Sequence, residues 1–406
     1  MLGAGLAFAI GLRVALLPAE GLRQDMDTFA RWVHALATDV PLGQAYRLDL
    51  SFPPIMVYIF WALAHLVPAF ATSPDAGETT ARIALKIPAS AADLGLAVGV
   101  LYLLWDRPRQ AVVGALLIAF VPVTWYASAW WGQFESIFVL LGLLAAILVL
   151  IDRPWLAAIA LGLALMTKPQ ALVFLVPFGA YAIGRYGWRR AAVIGAVTTA
   201  VAAVTWLPFL ADDGPGRYLA NLASYQNGDY AVLSLRAWNL WWLVQELLAG
   251  GSLLADNAAL IGPITPRSLG YAMAGLAELA VFLLVLRRPA CEGLLLGLAA
   301  SVLVAFCLLT TMHERYSYGA VIFLLPLALV AARRERAAWL ALAVAVTANL
   351  LAAIPPEAMP GSPIRAEGPA GVVGSVAILA VTVFVVATLR RPDVRRRESG
   401  PSPAVP

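Results

Sequence analysis

Six positions in this sequence carry groups able to move a proton or hold a phosphate: Asp25, Asp27, Lys168, His313, Glu314 and Arg315. They lie between or beside long apolar runs, where a charge is costly to keep and marks a functional site by default. A carboxylate can take the proton of an attacking hydroxyl. Lysine offers a point charge and arginine a planar fork, both suited to phosphate, and histidine adds an imidazole that titrates near neutrality.

The two aspartates invite a divalent-metal reading, which helical geometry disfavours. At about 100° per residue their side chains diverge by about 160°, and two carboxylates alone rarely hold such an ion. No metal or other cofactor is expected. On the same helix Met26, Phe29, Ala30, Val33, Leu36 and Ala37 form one apolar arc, with Asp27, Arg31, His34 and Thr38 opposite. This predicts an amphipathic helix on the membrane surface. Asp25 sits at the seam beside Trp32 and reads either as a helix N-cap or as a site residue. Asp27 reads either as the i,i+4 partner of Arg31 or as part of the site.

Four further segments interrupt the apolar runs. In AWWGQFESIF, 129–138, Trp130 and Trp131 suit a membrane-interface belt, while Gln133 and Glu135 offer hydrogen bonds to a polyhydroxylated ligand. In LMTKPQALVFLVP, 165–177, Lys168 is one of two lysines in the chain and Pro169 breaks the helix after it. It reads as a snorkelling side chain or as a phosphate ligand. TTMHERYSY, 310–318, brings His313, Glu314 and Arg315 into one run without the spacing of a zinc helix. In the loop 224–243, Trp238, Trp241 and Trp242 offer an anchor or a sugar platform, and Arg236 and Asn239 add polar reach.

The elements that must position these groups follow from composition. The chain of 406 residues is 61% hydrophobic and 13% charged, with a mean hydropathy of +0.81. A soluble domain carries about 25% charged residues, so the sequence reads as an all-α polytopic membrane protein. Runs such as 111–127, 137–151 and 372–389 approach or exceed the ~17 residues of a spanning helix and lack β-barrel alternation. The first seventeen residues read as a retained span, since they lack a basic start and a cleavage site. Cys291 and Cys307 fall about four turns apart on one helix, too far for a disulfide.

Arginines cluster at Arg107 and Arg109, Arg153, Arg185 to Arg190, Arg287 and Arg288, Arg333 to Arg336 and in the tail, marking these loops as cytoplasmic. The loops 19–83 and 209–267 then face outward, with every polar interruption described above. About twelve spans satisfy this count if the apolar stretch 53–70 lies in the interface and does not cross. A thirteenth ordinary span is the alternative. Residues 1–389 read as one transmembrane domain and 390–406 as a disordered basic cytoplasmic tail.

In this order the motifs resemble those of the GT-C class of membrane glycosyltransferases. They are most similar to bacterial mannosyltransferase-like proteins related to the second mannosyltransferase of GPI-anchor synthesis. The resemblance rests on DMDTFARW (25–32), SFPPIMVY (51–58), WGQFES (131–136), TKPQAL (167–172), RAWNLW (236–241) and MHERY (312–316). It implies a GT-C-like fold and an inverting transfer of a sugar, mannose by nearest likeness, from a polyprenyl-phosphate donor. Asp25 would be the general base, His313 and Arg315 the donor-phosphate site, and Lys168 a neighbour in the same pocket.

The expected partners are the lipid-linked donor, membrane lipid and a glycan, glycolipid or protein acceptor, with no nucleic acid. The expected location is a bacterial inner membrane, with the site on the extracytoplasmic side. A transporter or lipid-linked sugar flippase is the rival reading. It would need Asp93 and Glu278, which stand inside apolar runs and otherwise read as bundle-internal partners.

Overall fold

A computed structural model describes residues 2–228, 230–331, 333–356 and 365–390. The expected tail lies outside the described residues from position 391 onward. Among the described residues, six helices are long and apolar enough to cross a membrane: Thr79–Leu103, Trp188–Asp212, Pro266–Arg287, Cys291–Leu308, Arg333–Ala353 and Pro369–Leu389. A seventh such unit is the pair Pro108–Phe120 and Pro122–Trp131, bent by 41°. Shorter apolar helices are Leu2–Leu16, Pro54–Leu66, Glu135–Leu150, Pro154–Leu165, Leu240–Ala249 and Tyr318–Val330. The chain is an all-α integral membrane protein. Among the described residues the strands are Ser234–Leu235 and Met312–His313, which pair in parallel.

Helix Cys291–Leu308 is buried along nearly its whole length and forms the axis of the bundle. Its Cys307 Sγ shares a 3.3 Å hydrogen bond with Thr382 Oγ1, while Cys291 is exposed. A buried polar knot joins the first helices. Arg13 reaches Asp93 at 3.3 Å, Asp93 accepts from Tyr318 Oη at 2.8 Å and from Ser128, and Arg13 also donates to the Ala119 carbonyl. Glu278 accepts from Ser301 at 2.7 Å. Both acids that a transport site would require have partners within the bundle.

The first long loop builds a small core of its own. Helix Arg23–Thr38 buries Met26, Phe29, Ala30, Val33 and Leu36 of the apolar arc expected from periodicity, leaves Ala37 part-buried, and buries Trp32 at the seam as well. The cover differs from expectation: protein replaces lipid. Phe29 packs on Phe52, Phe60 and Phe134 with ring centroids 5.1 to 6.1 Å apart. Those rings come from Pro54–Leu66, the residues before it and the turn after Trp131. Burying such rings against one another adds about 0.5–1.5 kcal/mol per pair beyond area alone.

Two devices hold this loop against the bundle. Lys86, fully buried, donates to the carbonyls of Ala19 and Trp130, each at 2.6 Å. Gly21 takes φ 67° where its missing Cβ would fall 2.6 Å from the Trp131 carbonyl, so only glycine allows that approach. The chain therefore enters helix Arg23–Thr38 directly beside the Trp130–Trp131 turn.

Candidate active site

Asp25 stands in the first turn of its helix, three residues after the N-cap position at Leu22, so it is not a cap. Its Oδ2 accepts from Trp131 Nε1 at 3.1 Å and from Gln133 Nε2 at 2.6 Å. Gly132 between them has φ 100°, which ends the wound turn Tyr126–Trp131 and turns both side chains toward the first loop. Both hydrogen bonds end on one carboxylate oxygen, which leaves Oδ1 without a hydrogen bond among the described residues.

Opposite this acid lies a cationic group. Lys168, extended before Pro169, donates to Glu135 Oε1 at 2.6 Å. Arg315 donates to the same oxygen at 3.2 Å and to Glu314 Oε1 at 2.8 Å. Its guanidinium also covers the Trp131 ring at 4.8 Å. Glu135 is 1% exposed. Its Oε1 pairs with both cations, its Oε2 has no partner among the described residues, and it stands behind the residues that line the cavity described below. Two cations and two carboxylates balance, which keeps a buried charged cluster affordable.

His313 is four-fifths buried between Tyr230 and Tyr316, with ring centroids 5.4 and 5.1 Å away. Burial first, then Arg315 and Lys168, push its pKa well below the ordinary 6.5. That shift favours the neutral imidazole, which offers a hydrogen bond, while Arg315 in the same cavity is a permanent cation. The placement of His313 follows from the strand pair, which sets Leu235 beside it, and from Thr311, a β-branched residue at φ 62°.

These groups meet in one cavity of about 880 Å³, lined by Asp25, Trp131, Gln133, Lys168, Arg236, His313 and Arg315 among others. Arg236 reaches Glu367 at 3.5 Å and stands on the rim, its side chain 57% exposed. Two expected site residues fall elsewhere. Asn239 is fully buried, caps helix Leu240–Ala249 by accepting from Trp242 N at 2.8 Å, and donates to the Phe306 carbonyl. An amide placed three residues before a helical N–H satisfies an otherwise orphaned donor, so its polarity is spent on the fold.

Asp27 pairs with Arg23 at 3.6 Å and accepts from the Ala76 N–H at 3.1 Å, while Arg31 donates to Thr28. It therefore meets neither Arg31 nor the cavity. Of the tryptophans, Trp238 and Trp241 are buried and donate to backbone carbonyls; Trp242 is buried and touches the cavity wall. None is an open platform for a sugar ring.

The sequence reading missed three contributors. Asp49 lines the cavity and accepts from Trp32 Nε1 at 2.5 Å. Gln170 lines it one residue after Pro169, close to the Lys168 that drew attention. Asp256, fully buried, accepts from Arg267 at 2.7 Å and from Thr310 at 2.7 Å, fastening the second long loop to the run that carries His313. A lone acid in an otherwise uncharged stretch was the available signal for Asp256. Comparison with the known protein families finds no match to this chain. No curated protein matches it either.

Proposed function

We propose that this chain is an inverting glycosyltransferase that moves a sugar, mannose in the first instance, from a polyprenyl-phosphate donor to an acceptor hydroxyl. One observation carries the reading: a carboxylate with one oxygen free of hydrogen bonds and a two-cation group share a single cavity, although Asp25 and Arg315 lie 290 residues apart in the chain. As the acceptor oxygen attacks the anomeric carbon, its proton passes to Asp25 Oδ1 and the bond from that carbon to the phosphate oxygen breaks. The departing phosphate gains charge beside Lys168 and Arg315, where fixed cations stabilise it without reorganisation. His313 adds a hydrogen bond and Arg236 a further cation at the rim. The scheme assigns no step to a metal.

The same proposal includes a GT-C-like arrangement of about twelve crossings, in a bacterial inner membrane with the cavity on the extracytoplasmic side. Helix Pro54–Leu66 then does not cross. In support, the residues flanking it return to one stretch of helix Arg23–Thr38: Phe52 packs on Trp32 at 5.9 Å, and the Phe70 carbonyl lies 2.6 Å from His34 Nδ1. Transport is the weaker reading: Asp93 is held by Arg13, Ser128 and Tyr318, and Glu278 accepts from Ser301, although its buried Oε1 has no partner among the described residues.

The test is to incubate membranes containing the protein with labelled polyprenyl-phosphate mannose, glucose and arabinose and to identify the product. Transfer of label to a glycan, glycolipid or protein is expected. Ion-coupled uptake in vesicles, with no transfer from any donor, would overturn the proposal.

A further inference from the structure

We infer that residues 247–264 form a lip that seats in the leaflet on the cavity side of the membrane, so that the cavity opens beside lipid. This stretch contains a single charged residue, Asp256, and that residue is fully buried. Most of its large apolar side chains are exposed, Leu253 beside the cavity. Leu247, Leu248, Leu253, Leu260, Ile261 and Ile264 are 82, 74, 57, 55, 79 and 49% exposed. Scattered exposed leucines are ordinary on any protein, but six large apolar side chains exposed within so short a segment are an apolar surface that water does not favour.

The backbone explains how the segment presents two faces. Gly250 and Gly251, both at positive φ, end helix Leu240–Ala249 and reverse the chain. Leu233 N donates to the Leu254 carbonyl, and Asp256 is clamped by Arg267, Thr310 and Thr311. Those bonds turn the polar atoms inward, where Gly251, Ser252 and Leu253 also border the cavity. A tight turn closed by Leu260 N to the Ile264 carbonyl at 2.8 Å, with Gly262 at φ 56°, then leaves Ile261 and Ile264 outside.

What covers this face is indicated by its neighbours. Ile264 is followed two residues later by the spanning helix Pro266–Arg287, whose Leu269, Leu276, Leu279 and Leu283 are exposed as a lipid-facing surface must be. Helix Leu240–Ala249 packs on Pro369–Leu389, a second span, with Val373 and Val376 exposed near its start. The apolar face of the lip thus joins two lipid-contacting spans, and acyl chains are the one occupant that suits all three. The one charge of the lip, Asp256, is buried and paired with Arg267, so shallow insertion draws no exposed ionised group of this stretch from water. One consequence rests on the transferase reading: the mouth of the cavity lies at headgroup depth, where a lipid-linked phosphate presents itself.

The test needs no sugar donor, so it succeeds or fails independently of the proposed activity. The full chain carrying Cys291→Ser and Cys307→Ala receives Ile261→Cys or, separately, Leu248→Cys, labelled with an environment-sensitive NBD fluorophore. It is then placed in phosphatidylethanolamine and phosphatidylglycerol vesicles. Asp39→Cys, on the exposed end of helix Arg23–Thr38, serves as the aqueous control. Blue-shifted emission at both lip positions, lost on adding nitroxide-labelled lipid and insensitive to iodide, is the expected result. Quenching by iodide but not by nitroxide lipid would place the lip in water and overturn the inference. Protection from both quenchers would mean that protein covers it, a second copy or the rest of the chain, and would overturn it equally.

Discussion

The guanidinium of Arg315 lies 4.8 Å from the centre of the Trp131 ring, and the same indole donates its N–H to Asp25 at 3.1 Å. One side chain thus sets the distance between the acid and the cation of the cavity. Trp131 is 1% exposed and cannot shift without displacing both, which makes it the pivot of the site.

Asp25→Asn keeps the shape of the side chain and removes its basicity. Transfer should fall by about a hundredfold or more, the usual worth of a positioned base. Asp27→Asn, outside the cavity, should leave the rate unchanged. Steady-state rates of both purified variants check this, and a wild-type rate for Asp25→Asn would sink the assignment.

Trp131→Phe retains a ring for Arg315 but deletes the N–H to Asp25. Loss of one hydrogen bond to a charged group, about 1.5–3 kcal/mol, predicts a drop in kcat of roughly ten- to a hundredfold with little change in donor KM. Trp131→Leu removes the ring as well and should raise donor KM too. Equal kinetic effects of the two variants would count against the shared role.

Glu135→Gln leaves Lys168 and Arg315 buried with their common carboxylate gone. Breaking a buried ion cluster by removing one partner costs about 3–5 kcal/mol, so a large fall in Tm in detergent is expected. Adding Lys168→Met should recover part of it. If Glu135→Gln melts like the wild type, the carboxylate is not the anchor of the cations.

The buried His313 favours its neutral form, its pKa held well below 6.5 by burial, Arg315 and Lys168. The folded chain therefore binds fewer protons here than the unfolded chain. Its contribution to stability is intact above the ordinary histidine pKa and is lost as pH falls from about 6.5 toward the depressed folded value. Thermal melts across that window should show the decline in the wild type and a shallower one in His313→Gln. His313→Ala should in addition weaken donor use, seen as a raised donor KM.

Asn239→Ala removes a helix cap and should lower stability by about 1 kcal/mol. Its donor KM should match the wild type. A kinetic defect without a fall in Tm would return Asn239 to the site.

Much of this was legible before any coordinates, for local reasons. The apolar arc from Met26 to Leu36 follows from helical period alone, because burial on one face is a property of neighbouring residues. Lys168 and the run His313 to Arg315 stood out because charges beside apolar helices are rare and costly. The errors have a common origin. Glu135, Asn239 and Asp27 were read from the sequence around them, yet their roles were set by Lys168, by Phe306 and by Arg23 with Ala76.

The sequence by itself determined the solvent of this protein and some of its helix breaks, as at Pro122 and Pro169, since hydropathy and proline act over a few residues. Pro88 and Pro326, by contrast, stand inside continuous helices. Tertiary structure alone decided which charges are free. Whether a carboxylate serves as a base or as a counter-ion depends on what lies within about 4 Å of it. For Asp25 and Glu135 those neighbours come from segments as much as 180 residues away.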